Sequence, residues 1–137
     1  MTNVTTSQLI TETDTDIVSM QTRRVLQHHF EAAGKFDIEG TMQDYSEEAI
    51  LIGMDTSYAG IDAIRNFYTS TFQMLSQGSV TFELTKLVIV KDMAFIIWKE
   101  KTDSFEIPFG TDTFIIQDGK IVRQTGFAHV VPVIKDK

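Results

Sequence analysis

Apolar residues recur along this chain with two different periods. Between Val18 and Ala33 the positions Val18, Thr22, Val25, Leu26, His29, Phe30 and Ala33 follow three- and four-residue steps, the spacing of one helix face. Asp16 stands where a helix N-cap belongs and Gly34 where a helix stops. A short second helix is predicted from Asp37 to Ser46, with Ile38, Met42 and Tyr45 on one side, then a strand over Glu48–Met54 and a turn over Asp55–Gly60. Ile61, Ile64, Phe67, Tyr68, Phe72 and Leu75 mark the apolar stripe of a third helix, closed by Gln77-Gly78. Beyond Gly78 the period drops to two. Val80, Phe82 and Leu84 alternate with polar residues, Leu87 and Ile89 fall out of phase, and a bulge near Lys86 accounts for the slip. Strands over Met93–Thr102, Phe105–Gln117 and Lys120–Val131 follow, the last two joined by a tight Asp118-Gly119 turn. Helices first and a long meander afterwards predict an α+β fold, with helices on one face of a curved, mostly antiparallel sheet.

Residues 1–16 do not share either period. Six threonines with Glu12, Asp14 and Asp16 leave too little apolar surface to offset ordering entropy, so this stretch reads as a flexible arm ahead of a single domain over 17–137. At 137 residues, roughly two-thirds of the unfolded surface can be buried in one core. The net charge of −7 and the scattered basic residues argue against nucleic acid and anionic membranes, and the longest apolar run, Met93–Trp98, is too short to span a bilayer. Cysteine is absent, which removes disulfides, thiolate nucleophiles and Cys-ligated metals. Three histidines at 28, 29 and 129 have no metal-site spacing, and no phosphate loop, dinucleotide turn or nucleophile elbow occurs. The expectation is a cytoplasmic protein without metal or cofactor.

Polar groups on apolar faces carry the candidate chemistry. In Thr111-Asp112-Thr113-Phe114-Ile115-Ile116, alternation puts Asp112 on the side of Phe114 and Ile116, where desolvation raises a carboxyl pKa and favours a neutral acid. A strand-end Asp bonded to a turn near Gly110 is the structural alternative. His29 shares its helix face with Leu26, Phe30 and Ala33, while His28 is turned by about 100°. An imidazole there is either a hydrogen-bonded core group or an acid/base. Trp98 and Glu100 share a face with Ala94 and Ile96. On the last strand two sets alternate, Arg123, Thr125, Phe127 and His129 against Val122, Gln124, Gly126 and Ala128, and periodicity does not choose between them.

Gly34–Ala49 (GKFDIEGTMQDYSEEA), Tyr58–Tyr68 (YAGIDAIRNFY), Asp112–Ile116 and Asp118–Arg123 (DGKIVR), in that order and spacing, resemble the nuclear transport factor 2-like superfamily, the group of ketosteroid isomerases and SnoaL-type polyketide cyclases. The resemblance implies a cone-shaped α+β barrel with three N-terminal helices and an apolar pocket. It implies a small apolar or aromatic ligand and a homodimer through the outer sheet face. It puts Asp112 at the position of a protonated oxyanion-hole acid and His29 at that of an oxyanion-donating tyrosine. The general base of the isomerases would fall at about Gly53, which has no side chain; Asp55, two residues on, is either its substitute or an Asx-turn residue. Tyr45, Ile52, Met54, Tyr58, Phe67, Phe72, Trp98, Glu100 and Phe114 are the expected pocket lining, and His129 falls near the acid/base aspartate of the cyclases. The function implied is a cofactor-free isomerase, cyclase or lyase acting on an apolar carbonyl compound by acid–base and oxyanion chemistry, against a noncatalytic binding or dimerisation module.

Overall fold

The computed structural model describes residues 2–5, 10–13 and 15–134, with side chains described for 15–134. The elements in chain order are β1 Thr2–Thr5, β2 Ile10–Thr13, α1 Ile17–Gly34, α2 Ile38–Met42, β3 Tyr45–Ile52, β4 Ser57–Ala59, α3 Ile61–Leu75, β5 Val80–Val90, β6 Met93–Thr102, β7 Phe105–Gln117 and β8 Lys120–Pro132. The strands form one mixed sheet of order β1-β5-β6-β7-β8-β3-β4, with β2 pairing β5 farther along. The run β5 to β8 is an antiparallel meander, whereas β3 joins β8 in parallel and β1 and β2 join β5 in parallel.

The α+β architecture with helices packed on the sheet agrees with the sequence pattern. The closed barrel does not: β4 and the β1/β2 edge are the two ends of the strand order and do not pair, so the sheet is open. Two strands lie within the stretch expected to be a bare arm, and 1, 6–9 and 14 of that stretch lie outside the described residues.

Local chemistry explains the element ends. Asp16 caps α1, its carboxylate accepting from the Ser19 backbone N–H (3.2 Å) and hydroxyl (2.6 Å). Ser19 Oγ accepts in turn from the Lys91 N–H at 2.8 Å, and Thr22 Oγ1 donates to the Lys91 carbonyl at 2.7 Å, which ties the β5–β6 turn to the start of the helix. Asp37 caps α2 through the Gly40 N–H (3.0 Å). That helix ends at Met42, earlier than predicted, because Tyr45 is drawn into β3 opposite Ile121 of β8. The residues expected as a plain turn include β4, which folds back on β3 with Leu51 opposite Tyr58. The predicted bulge is present: Leu84 pairs with Trp98 and Lys86 with Ile97, so Thr85 is the extra residue, its hydroxyl donating to the Ile97 carbonyl. Asp118 (φ 53°) and Gly119 (φ 75°) make the β7–β8 turn with two left-handed residues in succession, as an Asp-Gly hairpin requires.

Leu26 from α1, Ile64 from α3 and Ile89, Phe114 and Ile121 from the sheet are almost completely buried between the two layers. No helix of the described residues is long and apolar enough to cross a membrane.

Candidate functional site

Between the helices and the inner face of the sheet lies a cavity of about 510 Å³, inside the range typical of small-molecule sites. Its walls come from α1 (His29, Phe30, Ala33), α3 (Phe67, Tyr68, Phe72) and the meander (Phe82, Ile96, Trp98, Phe114), and the β3–β4 hairpin turn with Met54, Asp55 and Thr56 borders it. Most of this surface is aromatic or aliphatic. Three titratable groups besides Asp55 and the tyrosines break it: His29, Glu100 and Asp112.

Asp112 is bound through both carboxylate oxygens. Trp98 Nε1 donates to Oδ1 at 2.9 Å and Gln124 Nε2 donates to Oδ2 at 2.8 Å. Behind Gln124 the bonds form a directed chain. Tyr45 donates to Gln124 Oε1 at 2.5 Å, so its remaining contact, 2.7 Å from the Tyr68 hydroxyl, must be accepted from Tyr68. Every proton in Tyr68–Tyr45–Gln124 thus points toward Asp112. Burial pushes the Asp112 pKa from 3.8 up to about 6, opposed by the hydrogen bonds of Gln124 and Trp98 and by the proximity of His29. Burial also pushes both phenols far above the usual tyrosine range, so they stay protonated donors. Close approach makes room for this group. A Cβ at Gly126 would lie 2.9 Å from Asp112 Oδ2, and one at Gly110 only 2.5 Å from Trp98 ring carbons.

His29 is packed edge-on against Tyr45, Tyr68 and Phe114, with ring centroids 5.4 to 6.1 Å away. Its Nδ1 stands 3.5 Å from Asp44 Oδ2, an ion-pair distance too long for a hydrogen bond. Asp44 is itself held by His28 Nδ1 at 2.8 and 2.9 Å and pinned through its carbonyl, which accepts from the Ile121 N–H. One carboxylate thus lies between a half-exposed imidazole and one facing the cavity.

A family model described as SnoaL-like domain matches residues 26–124. The chain belongs to the SnoaL-like domain family. Solved structures repeat the fold at low identity. An NTF2-like protein of unknown function from Mesorhizobium loti superposes with a TM-score of 0.74 at 21% identity, over 88% of this chain and 99% of that one. A proposed ketosteroid isomerase from Kribbella flavida gives 0.70 at 15%, over 86% and 84%. The epoxide hydrolase/cyclase-like enzyme SalBIII, of pyran ring formation in polyether salinomycin, gives 0.68 at 16%, over 80% and 92%. No curated protein matches the sequence.

Within this SnoaL-like domain, Asp112, His29 and Asp55 all border the one cavity, as do Met54, Tyr58, Phe67, Phe72, Trp98, Glu100 and Phe114. Two expected lining residues do not. Ile52 is 49% exposed, because β3 turns Ala49 and Leu51 inward and Ile52 falls in the opposite phase. Tyr45 is buried behind the wall, where its hydroxyl serves the chain to Asp112. On β8 the Gln124, Gly126 and Ala128 set faces the cavity, and His129 sits on the other face, 6.2 Å from the Phe109 ring. Burial raises the Asp112 pKa, as alternation on β7 implies, to about 6, and its two oxygens accept from two N–H donors.

Sequence reasoning passed over Gln124 and Asp44. The signal for Gln124 was its place on one face of the last strand with the small residues Gly126 and Ala128. Asp44 carried none, because its contact with His28 depends on α2 folding back on α1.

Proposed function

We propose that this SnoaL-like domain is a cofactor-independent acid–base enzyme, of isomerase or cyclase type, acting on a small apolar or aromatic carbonyl compound. The observation that carries the reading is the Asp112 carboxylate, set in an apolar cavity with both oxygens accepting from Trp98 and Gln124 and a pKa near 6. A base titrating just below neutrality combines the right protonation state with useful basicity. In this mechanism the Asp112 carboxylate takes the proton from the carbon next to the carbonyl, the electron pair of that C–H bond moves into an enolate, and the oxygen charge is met by a donor. His29 is that donor: its Nδ1 faces Asp44 without a hydrogen bond, and its Nε2 carries the N–H that meets the ligand oxygen. Returning the proton to another carbon completes an isomerisation; attack of the enolate carbon on a second carbonyl carbon, whose π pair moves to its oxygen and takes the proton back from Asp112, completes a cyclisation. Asp55 lines the same cavity at the β3–β4 turn, beside Gly53, which has no side chain to offer.

The test is a thermal-shift screen of aryl ketones, hydroxyquinones and steroid ketones, followed for each binder by NMR of deuterium uptake from D₂O at the α-carbon. Wild type should exchange that position faster than buffer, with His29→Ala slowing it by about 10²-fold. Binders that never exchange or turn over would leave the noncatalytic reading, which the missing side chain at Gly53 favours.

As partner the reading takes a second copy of the chain on the outer sheet face. Phe109 and Phe127, 48% and 47% exposed and with ring centroids 6.1 Å apart, are the exposed aromatic pair of β7 and β8, Phe127 also bordering the cavity. Light scattering should give a dimer mass that falls to a monomer in Phe109→Glu/Phe127→Glu; a wild-type monomer at micromolar concentration removes this part of the reading.

A further inference from the structure

The inner face of β6 carries a second carboxyl that the proton transfer does not use. Ile96 stands opposite Asp112 and Glu100 four residues farther along the same strand, opposite Ile107. At about 3.3 Å per residue the two backbone levels are about 13 Å apart, which puts the two carboxyls at different levels of the sheet. Trp98 fills the interval, with Phe82 stacked on it at 5.5 Å and 23°.

The surroundings of Glu100 are apolar on both sides. Its cross-strand neighbours are Phe82 on β5 and Ile107 on β7. The adjacent lysines belong to the other face: Lys99 Nζ lies 3.6 Å from Glu83 Oε1, and Lys101 stands opposite Thr81 and Glu106. Among the described residues no hydrogen bond or ion pair reaches the Glu100 carboxyl, although it lines the cavity. Burial, with nothing opposing it, pushes the pKa to about 7. Glu100 is only partly buried, so solvent at the cavity lessens this cost, but an apolar side chain would carry none of it.

We infer that Glu100 anchors a second polar group of the ligand, a hydroxyl, so that the cavity takes an elongated aromatic compound carrying a carbonyl at the Asp112 end and a hydroxyl at the other. This rests on the acid–base reading above for the carbonyl end and extends it to substrate class. A hydroxyl both donates and accepts, so it satisfies Glu100 in either protonation state near neutrality, whereas an ammonium group is matched only by the carboxylate. The stacked Phe82 and Trp98 rings supply the flat wall between the two polar ends.

The test compares two probes, 4-acetylbiphenyl and 4-acetyl-4′-hydroxybiphenyl, by calorimetric titration at pH 7. Wild type should bind the hydroxylated probe about tenfold more tightly, the equivalent of one hydrogen bond to a partly charged group. Glu100→Leu should erase that advantage, bringing the ratio of the two affinities to about one. Equal affinities of wild type for both probes overturn the anchor and leave the Asp112 reading standing. Failure of wild type to bind either overturns the anchor together with the ligand cavity itself. Stability gives a second readout that needs no ligand: Glu100→Leu should raise Tm, more at pH 8 than at pH 5, and a Tm lowered at pH 8 counts against an uncompensated carboxyl.

Discussion

Asp112→Asn should lower the rate of α-proton exchange, for any ketone the wild type enolises, by about 10³-fold, the usual contribution of a positioned general base. The same substitution should not unfold the protein, and the hydrogen-bond chain explains why. An Asn side chain can accept from Trp98 Nε1 with its oxygen and present its NH₂ to Gln124. If Gln124 then turns its amide over, Oε1 accepts from residue 112 and Nε2 donates to the Tyr45 oxygen, leaving the Tyr45 hydroxyl to donate to Tyr68. The chain then reverses, and the Tyr68 hydroxyl proton turns to the cavity that Tyr68 borders. Asp112→Leu has no such rearrangement. It strands the Trp98 and Gln124 N–H groups and should cost about 2–4 kcal/mol in urea denaturation, since each unsatisfied buried donor costs about 1–3 kcal/mol.

Stability against pH separates the charge of Asp112 from its shape. Its folded pKa of about 6 lies above the ordinary 3.8, so the folded state holds a proton that the unfolded chain releases. The protein is therefore most favoured below about pH 4 as far as this group is concerned, and loses stability as pH rises through 6. The gap corresponds to at most about 3 kcal/mol, lessened by the solvent that still reaches the group. Glu100, raised from 4.5 to about 7, adds a loss of the same sign over a slightly higher window. Unfolding free energies of wild type should fall between pH 5 and pH 8, and those of Asp112→Asn should fall less. An unchanged slope in the variant would assign the pH dependence to other groups and take away the basis for treating Asp112 as a tuned base.

The sequence was most readable where one residue type does one local job. The caps at Asp16 and Asp37, the Asp118-Gly119 turn and the out-of-phase step before Leu87 each follow from a backbone requirement met by nearby residues. Alternation on β7 also brought Asp112 to the inner face, and helix spacing brought His29 to the same cavity. What stayed hidden depends on contacts distant along the chain. Tyr45 reads as helical from its spacing to Ile38 and Met42, yet pairing with β8 pulls it into a strand and aims its hydroxyl at Gln124. Ile52 shares its parity with Met54, which does border the cavity, and no local feature of β3 marks Ala49 and Leu51 as the buried set. The partners of Asp112 are two N–H groups that arrive from β6 and β8 and leave no mark within β7 itself.

Gly110→Ala is the substitution that should damage the site most with the smallest change in composition. The added methyl would sit 2.5 Å from Cε2 and Cζ2 of Trp98 and 3.0 Å from Cη2, distances that force something to move. The indole has little freedom to give way, because its N–H is bonded to Asp112 and its face is stacked on Phe82. Overpacking of this kind costs about 1–3 kcal/mol, and a displaced indole also withdraws one of the two donors that hold Asp112 ionised. The Asp112 pKa should then rise further and the pH optimum of any turnover should move upward with it. Trp98 is the one tryptophan in the chain, so its emission reports the displacement directly: a red shift is expected in Gly110→Ala and none in Gly53→Ala, where the nearest atom to the new Cβ is 3.5 Å away. An emission maximum and urea midpoint equal to wild type in Gly110→Ala would mean that the indole is not wedged between Gly110 and Phe82, and the geometry given for the Asp112 carboxylate would lose its support on the Trp98 side.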